Sequence, residues 1–302
     1  MPFSVIVPTR DRPLDLARCL ESLCKLEYPR DQYEVIVVDD GGTTVVQDIV
    51  AAVAKRVDVT IVTTAHNGPA TARNEGIKHS RFDYLAFIDD DCAAHPSWLD
   101  VLARHLGANP RSPAGGRVIN ALKSNRYSRA SQGLQDFLYR WYHEQRKGNL
   151  AFFTTNNLGV SREAFEDVGA FDPTFPFASE DRDWCDRATL TGRELNYVPD
   201  AIVYHWHDLN FSRFIQQHFR YGRGAVRFHS RRAARRGTRI RLEDPGFYRE
   251  MFTAPFVEGR AAPVWETLLL LASQSASFAG FVAELATPSS PSQRLSTSAR
   301  QP

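Results

Sequence analysis

The sequence is poor in the features that mark several large classes of protein. Only four cysteines occur, Cys19, Cys24, Cys92 and Cys185, and none has the paired spacing of a zinc motif or a disulfide framework. Nothing at the N-terminus reads as a secretory leader, since a strand pattern begins at Phe3. The longest apolar stretch, Val264 to Leu285, carries Glu266, Gln274 and Glu284, which disfavours a bilayer span. Excess charge is also scarce: 37 Lys and Arg face 35 Asp and Glu, so the molecule as a whole is not drawn to nucleic acid. Internal repeats are absent, and the only low-complexity segment is the Ser- and Pro-rich tail from Thr287 to Pro302, expected to be disordered. These absences leave a cytoplasmic globular protein. Its 302 residues, 43% hydrophobic, suffice for one large domain with an appended segment.

What is present first is an alternation of apolar strand, turn and amphipathic helix, which predicts an α/β fold with a mostly parallel sheet flanked by helices. Strands are expected at Phe3–Val7, Val35–Val38, Val59–Val62 and Tyr84–Ile88, then near Arg117–Ala121, Ala151–Val160 and Leu195–His205. Asp11 is placed to cap the first helix, Thr44–Val53 reads as a second, and Gly68-Pro69-Ala70 opens a third with Pro at its first position. An aromatic-rich helix is expected from Ser131 to His143. The second strand ends in Asp39-Asp40 and the fourth in Asp89-Asp90-Asp91, at the strand ends where open α/β sheets bind ligands.

Three groups of residues carry chemistry. In an extended strand end the side chains of Asp89 and Asp91 point the same way and can share Mg²⁺ or Mn²⁺, leaving positions open for phosphate oxygens; the bland alternative is a solvated acidic turn. Glu180-Asp181-Arg182-Asp183 opens a helix containing Trp184, where acids can merely complement the dipole, but a carboxylate such as Asp181 also suits a general base. His205 and His207 share a face at the end of an apolar strand, and His205 is the better candidate for completing an oxygen-rich metal site.

Several short motifs in one order resemble glycosyltransferase family 2 over about Phe3 to His205. Ser4-Val5-Ile6-Val7-Pro8-Thr9-Arg10 resembles the opening strand, and Val37-Val38-Asp39-Asp40-Gly41 the second, with Gly42 in place of the commoner serine. Ala72-Arg73-Asn74 resembles the donor-binding helix, and Phe87-Ile88-Asp89-Asp90-Asp91 the metal motif. Asn156-Asn157-Leu158-Gly159, Val168-Gly169-Ala170-Phe171-Asp172 and Glu180-Asp181 resemble the acceptor half.

The resemblance implies a GT-A, Rossmann-like fold and an inverting transferase that moves a sugar from a nucleotide-sugar, a UDP-sugar foremost, to a glycan, lipid-linked or small-molecule hydroxyl. It implies nucleotide-sugar contacts from Pro8, Thr9, Arg10, Asp39 or Asp40, Arg73, Asn74, Asp89 and Asp90. Asp91, with Asp89 and His205, would hold Mn²⁺ or Mg²⁺; Asp181 or Glu180 would be the base; Asn156, Asn157 and Trp184 would meet the acceptor. The main rival enzyme is a sugar nucleotidyltransferase, but Pro8-Thr9-Arg10-Asp11 lacks the Gly-rich phosphate loop it would need.

The organisation expected is a catalytic domain over 1–208, its halves 1–110 for nucleotide and metal and 111–208 for acceptor, a helical extension over 209–286, and the tail 287–302. Arg213 to Arg241 holds ten arginines and no acid, leaving 27 basic against 35 acidic side chains elsewhere. Such a basic amphipathic stretch suits an anionic membrane surface at the inner face of the plasma membrane, or a non-catalytic membrane or nucleic-acid binder; nucleic acid itself is not the expected partner, and a homo-oligomer is left open. Gln217-His218-Phe219-Arg220-Tyr221 partly resembles the Gln-x-x-Arg-Trp motif of processive family members. In the last helix Glu266, Ser273, Ser277 and Glu284 line up as one narrow polar stripe, so it is expected to pack on a domain, a partner subunit or a membrane surface.

Overall fold

The computed structural model describes residues 1–145, 152–175, 178–240 and 243–287. The tail from 288 and Arg241 therefore lie outside the described residues. The N-terminal half is β1 (Phe3–Thr9), α1 (Pro13–Leu23), β2 (Tyr33–Asp40), α2 (Gln47–Val53), β3 (Asp58–Thr64), α3 (Pro69–Lys78), β4 (Tyr84–Phe87), β5 (Cys92–Ala94) and α4 (Trp98–Ala108). The rest is β6 (Ala114–Asn120), α5 (Arg126–Tyr139), β7 (Leu158–Ser161), α6 (Arg162–Val168), α7 (Glu180–Leu190), β8 (Asn196–His205), α8 (Phe211–Arg236), α9 (Pro245–Val257) and α10 (Pro263–Ala286).

All eight strands form one sheet in the order β3-β2-β1-β4-β7-β6-β8-β5. The four strands β3, β2, β1 and β4 pair in parallel, as their helical crossovers require. Beyond β4 the sheet becomes mixed: β4–β7, β6–β7 and β5–β8 are antiparallel and β6–β8 is parallel. Val35, Ile36, Val37 and Val38 of β2 are all fully buried, which explains a continuous apolar run in a strand covered on both faces.

Two local expectations fail for identifiable reasons. Asp11 does not cap α1. It sits at φ 53°, and its carboxylate accepts hydrogen bonds from the Thr43 and Thr44 backbone N–H groups at 2.6 and 3.0 Å, tying the loop after β1 to the loop after β2. Of the segment expected as a strand over Ala151–Val160, Ala151 lies outside the described residues, and the rest is strand only from Leu158; Thr155–Asn157 forms a 3₁₀ turn.

The C-terminal helices are held by apolar packing, at Phe214 and Leu269 and at Phe247 and Met251, and by a dense set of ion pairs. The arginine-rich stretch is α8, and most of its arginines turn inward to acids. Asp186 of α7, nearly buried, receives Arg232, Arg235 and Arg236; Arg235 also meets Asp183, Arg231 meets Asp172, and Arg223 and Arg227 converge on Glu284. Six of the ten arginines thus pair with acids of the same chain, so the stretch presents less free positive charge than its composition suggests. The polar stripe of α10 likewise faces inward. Glu266 takes Arg129 and Arg260, Ser273 is fully buried, and Ser277 donates to the His218 carbonyl. Glycines let α8 and α10 cross with their backbones touching, since a Cβ at Gly222 would meet the Ser277 carbonyl at 1.8 Å and one at Gly280 the Phe219 carbonyl at 1.9 Å.

Candidate functional site

The sheet topology brings the C-terminal ends of β1, β2 and β4 to one wall of a cleft of about 1040 Å³, while α7, α8 and α10 supply the opposite wall. Pro8, Thr9, Arg10, Asp40, Arg73, Asp89, Asp91, Asn156, Glu180, Asp181 and His205 all line it. Asp91 and Asp181, 90 residues apart in the chain, thereby face a single space.

The acidic triplet is not an extended strand end; Asp90 and Asp91 form a turn, so its three carboxylates diverge. Asp89 is clasped by Arg73 at 2.7 Å. Asp90 turns into the protein, fully buried, where Thr9 donates to it at 2.7 Å and Arg12 approaches to 2.8 Å. Asp91 keeps one oxygen on Arg12, 2.7 Å away, and the other 3.3 Å from His205 Nε2. This last contact comes from the sheet: β5 pairs antiparallel with β8 so that Cys92 lies opposite His205. Asp91, Cys92 and His205 form a potential metal-binding group, with one ligand atom from each within 4.8 Å of the others. Asp89 is not in that group. Burial works to raise the Asp91 carboxyl, but His205 and Arg12 hold it well below the usual carboxylate range. His207 stacks on His205 at 4.6 Å, and burial with the neighbouring His205 pushes its imidazole down to about 3.

Across the cleft, Arg73 is 4% exposed and joins the two halves, bonding Glu180 at 2.7 Å with one amino group and Asp89 with the other. That engagement separates the two acids that the sequence left equivalent. Glu180 is committed to Arg73, whereas Asp181, among the described residues, has no cationic partner in hydrogen-bonding contact and accepts the Arg182 backbone N–H. Burial, and then the negative charge of Glu180, push the Asp181 carboxyl up to about 7. The preceding Ser179 is a non-glycine residue at φ 79°, a strained geometry held at the mouth of α7.

At the end of β2 the structure also separates two neighbours. Asp40 lines the cleft and gathers Thr64, the Asn67 and Gly68 backbone N–H groups and His66 Nδ1 at about 3 Å. Asp39 does not reach the cleft; it accepts the Gly42 N–H and fixes the turn after β2.

Other expected contact residues turn out to be scaffold. Trp184 is fully buried, stacked on Phe165 at 5.5 Å and donating to the Gly169 carbonyl, which leaves no ring face for an acceptor. Asn157 is 1% exposed and satisfied by Trp98, Arg117 and Ala201. Asn74 pairs with both backbone polar groups of Phe171, so it splices α3 to the segment after α6. Asp90, described above, is likewise interior. Sequence reasoning in turn missed Arg12 and His66, which line the cleft. A lone arginine three residues past a strand carries no local signal; only the return of Asp90 and Asp91 to its side gives it a role.

The profile of the family described as Glycosyl transferase family 2 matches residues 4–169. The chain is 30% identical to Glycosyltransferase AglE of Haloferax volcanii over 230 residues, covering 75% of this chain and 74% of that protein. It is 28% identical to the pre-mycofactocin glycosyltransferase of Mycobacterium tuberculosis over 229 residues, 74% of this chain but only 46% of the longer relative. Among solved structures, the mannosyltransferase PcManGT from Pyrobaculum calidifontis, in complex with GDP-Man and Mn²⁺, superimposes with a TM-score of 0.61 at 18% identity, covering 98% of this chain and 78% of that one. Residues 1–349 of S. aureus TarS superimpose at 0.53 and 17% identity, covering 99% and 93%. The mixed eight-stranded sheet with its crossing C-terminal helices is accordingly a GT-A-like fold, and the chain is a glycosyltransferase belonging to glycosyl transferase family 2.

Proposed function

We propose that the cleft transfers a sugar from a nucleoside-diphosphate donor to a hydroxyl acceptor by a single displacement that inverts the anomeric configuration. The observation that carries this reading is that the Asp91–His205 pair and the unpaired Asp181 line one cavity. Asp40, with Arg10 and His66 beside it, marks the nucleoside end. Arg12, half exposed over Asp91, faces the position of the diphosphate. Arg73 neutralises Glu180 and Asp89, leaving the neighbouring Asp181 to take the acceptor's proton.

A carboxylate oxygen of Asp91 and the imidazole nitrogen of His205 suit Mn²⁺ or Mg²⁺, with Cys92 Sγ buried behind them as a softer donor that such ions do not require. When bound there, the cation would neutralise the departing diphosphate. That PcManGT was solved with GDP-Man and Mn²⁺ supports the assignment.

The test is release of nucleoside diphosphate from a panel of UDP-, GDP- and dTDP-sugars, with Mn²⁺ and with EDTA, and the anomeric configuration of the product by NMR. Turnover of one donor that EDTA abolishes, with inversion, is expected. Full turnover in EDTA, or a retained configuration, would overturn the proposal.

A further inference from the structure

Helix α10 turns only part of its apolar surface inward, at Leu269, Leu270 and Ala276. Its polar stripe is buried and ion-paired, while Val264, Trp265, Leu268, Leu271, Phe278, Val282 and Leu285 stand 45–70% exposed. Scattered exposed apolar residues are ordinary, but these are not scattered. With exposed Ser275, the positions 264, 268, 271, 275, 278, 282 and 285 step by four and three residues alternately along the whole helix. That is the 3.5-residue period of a seam which another helix follows lengthwise. One flank of the seam, at Ala272, Ala279 and Ala286, is small enough for close approach.

From this pattern we propose that α10 pairs with α10 of a second copy of the chain about a two-fold axis at Ser275. Ser275 is the middle of the seven seam positions, three apolar residues lying on each side. In an antiparallel pair Ser275 therefore meets Ser275, Leu271 meets Phe278, Leu268 meets Val282, and Val264 meets Leu285, so every apolar residue finds an apolar partner. A helix of 24 residues reaches about 36 Å, and lengthwise contact on both copies buries on the order of 1,000 Å² in total, the size at which association becomes specific.

A bilayer fits the same face less well. The helix is long and apolar enough to cross a membrane, but insertion would break the ion pairs of Glu266 and Glu284 with four arginines. Lying on the surface instead, it would offer anionic headgroups no cation, since Pro263–Ala286 contains neither Lys nor Arg. Gln274, Ser277, Phe278 and Phe281 of the same helix also line the cleft, so the pairing would brace the rim of the site.

Light scattering after gel filtration of the full chain at tens of micromolar tests this directly. A mass of twice 34.1 kDa is expected for the wild type, and 34.1 kDa for Leu268→Glu and Leu271→Glu, both with unchanged circular dichroism. Because all four native cysteines are buried, Ser275→Cys under mild oxidation should give a disulfide-linked dimer, whereas Leu268→Cys, far from the axis, should not. A monomeric wild type would overturn the proposal, as would a dimer that survives both glutamates. A monomer that co-sediments with 3:1 phosphatidylcholine–phosphatidylglycerol vesicles through this face would refute it in favour of a bilayer.

Discussion

Replacing Asp181 by Asn should abolish turnover and stabilise the protein at the same time. A general base contributes about 10²- to 10⁴-fold in rate, which is about 3–5 kcal/mol of transition-state stabilisation, so kcat should fall by that range while donor affinity is kept. The folding side follows from the position of the carboxyl. Its pKa lies near 7 in the folded protein, against 3.8 for an ordinary aspartate, because burial and Glu180 disfavour the charge. Below pH 3.8 the proton is on in both states and nothing is lost. As pH rises from 3.8 towards 7 the unfolded chain ionises while the native site resists, and stability falls; above 7 the loss is complete. At 1.36 kcal/mol per pKa step this amounts to at most about 4 kcal/mol at pH 8 and only about 1.6 kcal/mol at pH 5. Asn is nearly isosteric and carries no charge. For a chain of this length the gain in Tm should be up to roughly 8 °C at pH 8, and clearly smaller at pH 5. Thermal unfolding followed by circular dichroism at the two pH values, beside nucleoside diphosphate release, makes the comparison. A variant no more stable than wild type at pH 8 would show that the charge is not strained there, and near-normal turnover would remove Asp181 from the chemistry. The wild type should also show an acidic limb in kcat/KM near pH 7, absent from the residual activity of the variant.

Asp91→Ala should lower turnover by about 10²- to 10³-fold, with a raised Mn²⁺ requirement in a metal titration, because it removes the carboxylate of the Asp91–His205 pair. Asp186→Asn strips a buried acid from Arg232, Arg235 and Arg236; breaking such a pairing costs about 3–5 kcal/mol, read as a drop in urea midpoint with the m-value unchanged. Trp184→Phe should destabilise by about 1–3 kcal/mol through a cavity and the lost Gly169 hydrogen bond, yet leave the acceptor KM within twofold; a large KM change would restore it to the acceptor site.

The residues legible in the sequence were those whose role is written in local pattern. Val35–Val38 announces a buried strand by an unbroken apolar run, Pro69 a helix start by its fixed φ, and Asp40 the rim of the sheet by closing an apolar strand. Parallel pairing of the first four strands follows from the same alternation. Sequence could not divide Asp39 from Asp40, or Glu180 from Asp181, because adjacent carboxylates are chemically identical until something else claims one of them. Gly42 claims Asp39, and Arg73, from over a hundred residues away, claims Glu180.

Three expected contact residues lie apart from the cleft for one cause. Trp184, Asn157 and Asn74 have the chemistry of contact residues, but burial and saturated hydrogen bonds decide whether that chemistry faces outward, and both are tertiary properties. The arginines of α8 show the same limit in charge. Composition fixes how many there are; only folding places Asp172, Asp183, Asp186 and Glu284 against them and turns an apparent basic face into internal ion pairs. Periodicity showed that α10 has two unlike faces, while the direction each one points was settled by its partners. Local chain chemistry thus determined the elements and the rim, and long-range contact determined which side chains remain free to act there, since freedom is what neighbours leave unclaimed.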